Sequence, residues 1–134
     1  MADPALIIQN SFVRFALPST AKIVHLEQEI DDLERTMHDQ ATGADYQVPT
    51  GKKLWILNVR GYDDSMNIEC EIYSHDTVDT AGGTKITTFH YPTTTQLDLD
   101  FPLYEFAAGQ YVNIQHLGTS QLADCQIYAV ELDA

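Results

Sequence analysis

The stretch Tyr46–Val59, YQVPTGKKLWILNV, decides the fold, together with its counterpart Phe101–Ile114, FPLYEFAAGQYVNI. Each stretch places a turn of small residues directly before a run rich in β-branched and aromatic residues, which is the composition of a strand. Gly51 and Gly109 supply turn conformations that residues with a Cβ atom adopt poorly. Turns that lead straight into short strands are typical of an antiparallel β-sandwich.

From residue 46 onward, strand patterns recur about every 8–12 residues, which is the spacing of a sandwich or a barrel. Within Asn67–Ser74 apolar and polar residues alternate, and this predicts one buried and one solvated face. The chain shows no alternation of helix and strand patterns, which argues against a parallel α/β fold. The predicted strands are Leu54–Val59, Asn67–Ser74, Lys85–Tyr91, Tyr111–His116 and Cys125–Leu132.

Residues 1–45 admit two interpretations. Within Ile23–Met37 four apolar residues are three or four positions apart. This spacing would place them along one face of a short helix over residues 24–38, as an apolar stripe. The alternative is a strand over Ala21–Leu26, followed by a polar loop. We divide the chain into an N-terminal arm of residues 1–45 and a β-sandwich of residues 46–134, which together form one compact domain. The residues of the stripe are Leu26, Ile30, Leu33 and Met37.

The composition limits the partners that the chain can take. A net charge of −13 disfavours nucleic acid and anionic membranes as partners, since both need a basic face. No apolar run approaches the roughly 20 residues of a membrane span, and the first residues lack the basic region of a signal peptide. Hydrophobic residues make up 44% of the 134, enough for a buried core. Cys70 and Cys125 lie within strand patterns, which predicts buried free thiols.

The sequence contains no recognisable catalytic motif. No serine lies in a nucleophile elbow, and neither cysteine has the electropositive surroundings that activate a thiol. His75, Asp76 and Asp79 are of types that bind metals, and Asp98 and Asp100 would share a face on a strand, but neither set has the spacing of a known site. We expect polar loop residues there, and therefore no enzyme activity, no catalytic residues, no cofactor and no metal.

The pattern resembles the jelly-roll decoration (cement) proteins of tailed-bacteriophage capsids. It begins with YQVPTGKKLWILNV, continues through a polar hairpin segment, and ends with FPLYEFAAGQYVNIQHLG and a closing apolar strand, so it covers Tyr46–Leu132. The resemblance implies a tumour-necrosis-factor-like jelly roll that forms homotrimers. It also implies that the protein is made in the host cytoplasm, binds the major capsid protein on the capsid exterior and stabilises the head of the virion.

The segment that precedes the resemblance is very apolar for a terminal segment. An exposed tail of this composition would be prone to aggregation. We therefore expect Ala5–Leu17 to lie against a neighbouring subunit or the capsid shell. The predicted capsid-binding residues are Leu6, Ile7, Ile8, Phe12, Val13, Arg14 and Phe15.

One strand is apolar on both faces, and this predicts a second interface besides the core. In Leu54–Val59, Trp55 and Leu57 would lie on one face, and Leu54 and Ile56 on the other. The apolar residues on the second face of this strand support a homotrimer. The predicted trimer interface comprises Trp55, Tyr104, Phe106 and Tyr111.

Two other functions are compatible with parts of the sequence. A receptor- or carbohydrate-binding head domain of a phage fibre or tail would use exposed aromatic residues and acids in its loops. A cupin-like enzyme would need histidines and a glutamate gathered inside a barrel, but the HxH…E pattern is absent. The candidate sugar platform comprises Trp55, Tyr62, Tyr73, Tyr91, Tyr104 and Tyr111.

Overall fold

The computed structural model describes residues 6–10, 13–62, 68–91, 104–116 and 123–134, and every regular element in this part of the chain is a β-strand. The strands are β1 (Leu6–Asn10), β2 (Val13–Leu17), β3 (Lys22–Ile30), β4 (Arg35–Thr36), β5 (His38–Asp39), β6 (Lys52–Tyr62), β7 (Ile68–His75), β8 (Thr84–Tyr91), β9 (Tyr104–Phe106), β10 (Tyr111–His116) and β11 (Ala123–Asp133).

Two antiparallel sheets face each other in the strand order of a jelly roll. The four-stranded sheet has the order β4-β10-β7-β8, and the five-stranded sheet has the order β5-β3-β11-β6-β9. Without the two-residue β5, the strands from β3 onward, renumbered 1 to 8, give the orders 2-7-4-5 and 1-8-3-6. This is the pair of Greek keys that defines a jelly roll. The predicted all-β jelly-roll sandwich is confirmed.

The core lies between the two sheets and follows the two-residue period of the strands. Val24 and Leu26 on β3 face it from the five-stranded sheet, and Ile72 and Ile114 face it from the four-stranded sheet. Gly51 and Gly109 have φ angles of 78° and 83°, so both turns use the left-handed region that the sequence predicted for them. The other large, fully buried side chains include Ile30, Met37, Leu54, Ile56, Phe106 and Ile127.

The helix considered for residues 24–38 is wrong, since Lys22–Ile30 is a strand and pairs along its length with β11. Leu26 and Ile30 are four positions apart, and an even spacing also places two residues on one face of a strand. Gln28 between them occupies a position on the core side and satisfies its amide by donating to the carbonyl oxygen of Thr36 at 2.8 Å.

The domain boundary expected after residue 45 also needs correction. β3 lies inside the five-stranded sheet and β4 pairs with β10, so residues 22–39 belong to the same sandwich as the rest of the chain. Among the described strands, β1 and β2 alone lie outside both sheets and form a separate two-stranded ribbon. Of the expected arm, the strands that lie outside both sheets are therefore β1 and β2, and not the whole N-terminal third.

Cys70 and Cys125 are buried free thiols, as predicted, with exposed fractions of 0% and 1%. Burial raises the pKa of the Cys125 thiol to about 12. Burial also raises the pKa of Cys70 far above its ordinary value. Both thiols therefore stay protonated and unreactive at neutral pH.

Candidate functional site

The hairpin of β1 and β2 carries six of the seven predicted capsid-binding residues, and Phe12 lies outside the described residues. In its register Leu6 pairs with Leu17, Ile7 with Ala16 and Ile8 with Phe15, whereas Gln9 pairs with Arg14. An isolated two-stranded ribbon is marginally stable in water. A ribbon with this many apolar pairs needs a further surface to pack against.

The outer face of the five-stranded sheet carries a second apolar cluster. Leu54 and Ile56 of β6 point into the core, while Trp55 and Leu57 pack with Val130 on the opposite face. The apolar character of both faces of β6, expected from the sequence, is therefore a feature of the fold. Leu132 and Ala21 complete this outer cluster.

Polar contacts fix the indole of Trp55 at the rim of the outer cluster. Its Nε1 donates to Glu105 Oε1 on the neighbouring β9 at 2.7 Å. Lys53 Nζ lies 5.2 Å from the ring centroid and 3.7 Å from the same carboxylate oxygen. A large side chain that is already held in one orientation loses little conformational entropy when a partner covers it.

The four residues predicted to form a trimer interface are not brought together. Phe106 is 1% exposed and packs in the core of its own chain, which corrects its assignment to an interface. Tyr104 packs against the core and donates its hydroxyl to Thr87 Oγ1 at 2.9 Å. Trp55 and Tyr111 lie in different sheets. Of the four, Trp55 alone is placed on the outer face of the five-stranded sheet.

The middle of the same outer face holds an aromatic stack that sequence reasoning missed. The rings of His25 and Tyr128 are 4.3 Å apart and 13° from parallel. The guanidinium of Arg60 lies 5.8 Å from the Tyr128 centroid, and His25 Nε2 is 3.1 Å from Gln126 Oε1. No local signal could have revealed this stack, since the pairing of β3 with β11 alone makes the two rings neighbours.

The far end of this face opens into a cleft of about 390 Å³. Three carboxylates line it, from Glu27 and Glu29 on β3 and from Asp124 on β11. His38 also lines the cleft, and its Nε2 lies 3.1 Å from Asp45 Oδ1. The cleft therefore has a polar, acidic wall. The remaining lining residues are Gln28, Cys125 and Gln126.

A buried polar network lies on the outer face of the four-stranded sheet. Asn113 on β10 is fully buried, accepts a hydrogen bond from Thr36 Oγ1 at 2.7 Å and donates to Glu34 Oε1 at 3.2 Å. Glu34 Oε2 accepts from the backbone N–H of Gly82 at 3.1 Å. Buried polar groups are tolerated where each finds a partner. The network holds the loop between β7 and β8 against the sheet.

The metal-binding candidates of the sequence do not converge. His75 Nδ1 accepts a hydrogen bond from the backbone N–H of Thr77 at 2.8 Å and lies 3.1 Å from Asp76 Oδ1. Asp79 Oδ1 instead accepts from the backbone N–H of Thr36. Among the described residues no group of three or more His, Cys, Asp or Glu is placed to hold a metal ion. Asp98 and Asp100 lie outside the described residues.

The aromatic residues proposed as a sugar platform are likewise dispersed. Trp55 lies on the outer face of the five-stranded sheet, and Tyr73 lies on that of the four-stranded sheet. Tyr62 and Tyr91 lie outside the residues whose side chains are described. Within the described part of the chain, no helix is long and apolar enough to cross a membrane.

Comparison with known proteins gives little further information. No protein-family model and no curated protein matches the sequence. Among solved structures, the chain is similar to one described as "Cyanophage Pam1 capsid asymmetric unit", with a TM-score of 0.38 and 10% identity over 92% of this chain and 96% of that chain. At this TM-score and identity the likeness does not establish a common fold. The jelly-roll assignment rests on the strand order alone.

Proposed function

We propose that the chain is a capsid decoration (cement) protein of a tailed bacteriophage, which binds the major capsid protein on the outside of the head as a homotrimer and stabilises the virion. One observation carries the proposal: an apolar hairpin stands outside both sheets of a jelly roll that has all its strands without it. The resemblance of Tyr46–Leu132 to jelly-roll cement proteins supports it.

The hairpin is not needed to complete the sandwich. The eight jelly-roll strands begin with β3 at Lys22, and both sheets have their full strand order without β1 and β2. Ordering the ten paired residues of the ribbon costs conformational entropy that one short ladder does not offset. Burial of several apolar side chains against a second surface, at about 1.5–3 kcal/mol each, would offset it.

The charge of the molecule favours an apolar contact. With a net charge of −13, most of the surface repels an acidic partner. The strands of the hairpin contain one charged residue, Arg14, among ten. A cement protein needs a stiff scaffold and an attachment segment but no reaction centre. The proposal therefore includes no enzyme activity, no cofactor and no metal requirement.

Deletion of residues 1–17 tests the attachment role of the hairpin. The truncated protein should remain folded by circular dichroism but should no longer cosediment with capsids that lack the protein. Within the full chain, Ile8→Asp should weaken cosedimentation, whereas the matched control Gln9→Asp should not, because Gln9 pairs with Arg14. Unfolding of the truncated protein would show that the hairpin is part of the sandwich. Undiminished capsid binding would place the attachment elsewhere.

The alternative, a receptor- or carbohydrate-binding head domain, has less support. Such a domain would stack a sugar on neighbouring exposed aromatic rings, and Trp55 and Tyr73 lie on opposite outer faces of the sandwich. Specific binding on a glycan array, together with no binding to capsids, would favour the alternative.

A further inference from the structure

One edge of the four-stranded sheet is long and has no further strand beside it in the described part of the chain. This edge is β8, which runs over eight residues, whereas the other three sheet edges are β4 and β5, of two residues each, and β9, of three. Short edge strands limit pairing with other chains. For residues 84–88 of β8 the backbone–backbone hydrogen bonds run to β7 only. An extended segment can therefore add to this edge as a further strand.

The hairpin of β1 and β2 has the complementary need. Each of its strands pairs only with the other, since the two-stranded ribbon is separate from both sheets. A ribbon of two strands is marginal in water, and a sheet of three or more strands is needed for stability. Added to β8, the ribbon would form the outer part of a six-stranded sheet, in which it follows the order β4-β10-β7-β8.

Neither element brings an acidic side chain to such a contact. The ten residues of β1 and β2 and the eight of β8 include no Asp or Glu, although the chain has 20 of them among 134 residues. Lys85 of β8 is bound to Glu71 of its own sheet, with Nζ 3.2 Å from Oε2. Two chains that each carry a net charge of −13 can therefore meet here without direct repulsion between carboxylates.

The hairpin is too far from β8 of its own chain to pair with it. Tyr104 of β9 donates to Thr87 of β8 at 2.9 Å, so β8 and β9 are edges on the same side of the sandwich. β3, which follows the hairpin, is separated from β9 by β11 and β6, and a strand added beside β8 would lie roughly 20 Å from β3 at the usual spacings of strands and sheets. The connection to β3 is a turn, in which the N–H of Ala21 donates to the carbonyl oxygen of Pro18 at 3.0 Å. Such a turn spans less than about 7 Å, so the whole connection reaches roughly 15 Å at most.

We infer that the hairpin of one copy adds to the β8 edge of a neighbouring copy. This inference rests on the proposed homotrimer and names the surfaces that form it. The hairpin leaves one side of the sandwich and β8 lies on the other, so the contact is head-to-tail, and it closes into a ring of three when the rotation between copies is one third of a turn. The pairing uses one edge of the ribbon and leaves its two faces for the capsid contact proposed above.

Amide hydrogen exchange of the unmodified chain, measured residue by residue by NMR, tests this pairing. In an antiparallel strand the N–H groups of successive residues point to opposite neighbours. If β8 is paired on both sides, all amides of residues 84–88 should be protected in the trimer, as those of the interior strand β7 are. Rapid exchange of every second amide in a trimer would overturn the inference alone. A chain that is monomeric by light scattering would overturn the homotrimer and the inference together.

Thr87→Pro and Thr88→Pro provide a matched pair of variants. Each removes one backbone N–H, and these two N–H groups point to opposite sides of β8. The variant that loses the N–H facing β7 should have a lower urea midpoint. The variant that loses the outward N–H should stay folded by circular dichroism but should be a monomer at a concentration where the unmodified chain is a trimer. A trimer in that folded variant would overturn the inference, and it would leave the attachment role of the hairpin to the capsid cosedimentation assay.

Discussion

Thr36 and Asp79, which are 43 residues apart, exchange two hydrogen bonds. The backbone N–H of Thr36 donates to Asp79 Oδ1 at 2.8 Å, and the backbone N–H of Asp79 donates to Thr36 Oγ1 at 2.9 Å. Asp79 has a φ of 44°, in the left-handed region that aspartate tolerates better than most residues. This pair, with the carboxylate of Glu34, fixes the loop between β7 and β8 to strand β4.

We expect Asp79→Ala to lower the free energy of unfolding by about 1–3 kcal/mol, because it leaves the N–H of Thr36 without its acceptor. Asp79→Asn is the matched control, since it keeps both the acceptor oxygen and the tolerance of a positive φ. Urea denaturation gives both values. Equal losses in the two variants would show that the carboxylate charge, and not the hydrogen bond, holds the loop.

Gly83→Ala should also destabilise the protein, by about 1–3 kcal/mol, as overpacking of a filled site does. A Cβ atom at this position would lie 2.7 Å from Glu34 Oε1, 2.9 Å from Tyr73 Cβ and 3.1 Å from the carbonyl oxygen of Ser74. Gly43→Ala provides the comparison, because a Cβ atom at that position would meet no other atom within 4 Å. Its loss of stability would come only from the backbone, since φ is 74° and alanine adopts positive φ values poorly. Thermal melting of both variants measures the difference. A smaller loss at Gly83 than at Gly43 would contradict the crowding shown here.

Alkaline pH should destabilise the fold through the buried thiols. The pKa of Cys125 is about 12 in the folded protein, against about 8.5 in an unfolded chain. Between these values the unfolded chain loses the thiol proton and the folded one keeps it, so stability is full below about pH 8.5 and falls as the pH rises. The slope is about 1.4 kcal/mol per pH unit for each such thiol.

Urea denaturation from pH 8 to pH 10 measures this slope. The variant with Cys70→Ala and Cys125→Ala should have lower stability throughout but a flatter dependence on pH. Ellman's reagent should label neither thiol in the native protein at neutral pH and both in urea. Rapid labelling without denaturant would contradict the burial of these residues.

The sequence by itself determined the features that depend on residues close to each other along the chain. Gly51 and Gly109 take positive φ values because their turns require them. The strands β6 and β10 that follow contain the predicted runs Leu54–Val59 and Tyr111–His116, although β6 begins two residues earlier, at Lys52. The alternation around Cys70 places it in the core, since residues two apart share a face of a strand. The resemblance to jelly-roll proteins, carried by these same local patterns, gave the sandwich its expected topology.

The tertiary structure alone decided the rest. Leu26 and Ile30 fit a helix and a strand equally well, and the pairing of β3 with β11 settles the choice. The contact of Thr36 with Asp79 joins segments that local patterns cannot bring together. The same holds for the stack of His25 on Tyr128. The physical reason is that hydrogen bonding between strands is non-local, so register determines which side chains on distant segments become neighbours.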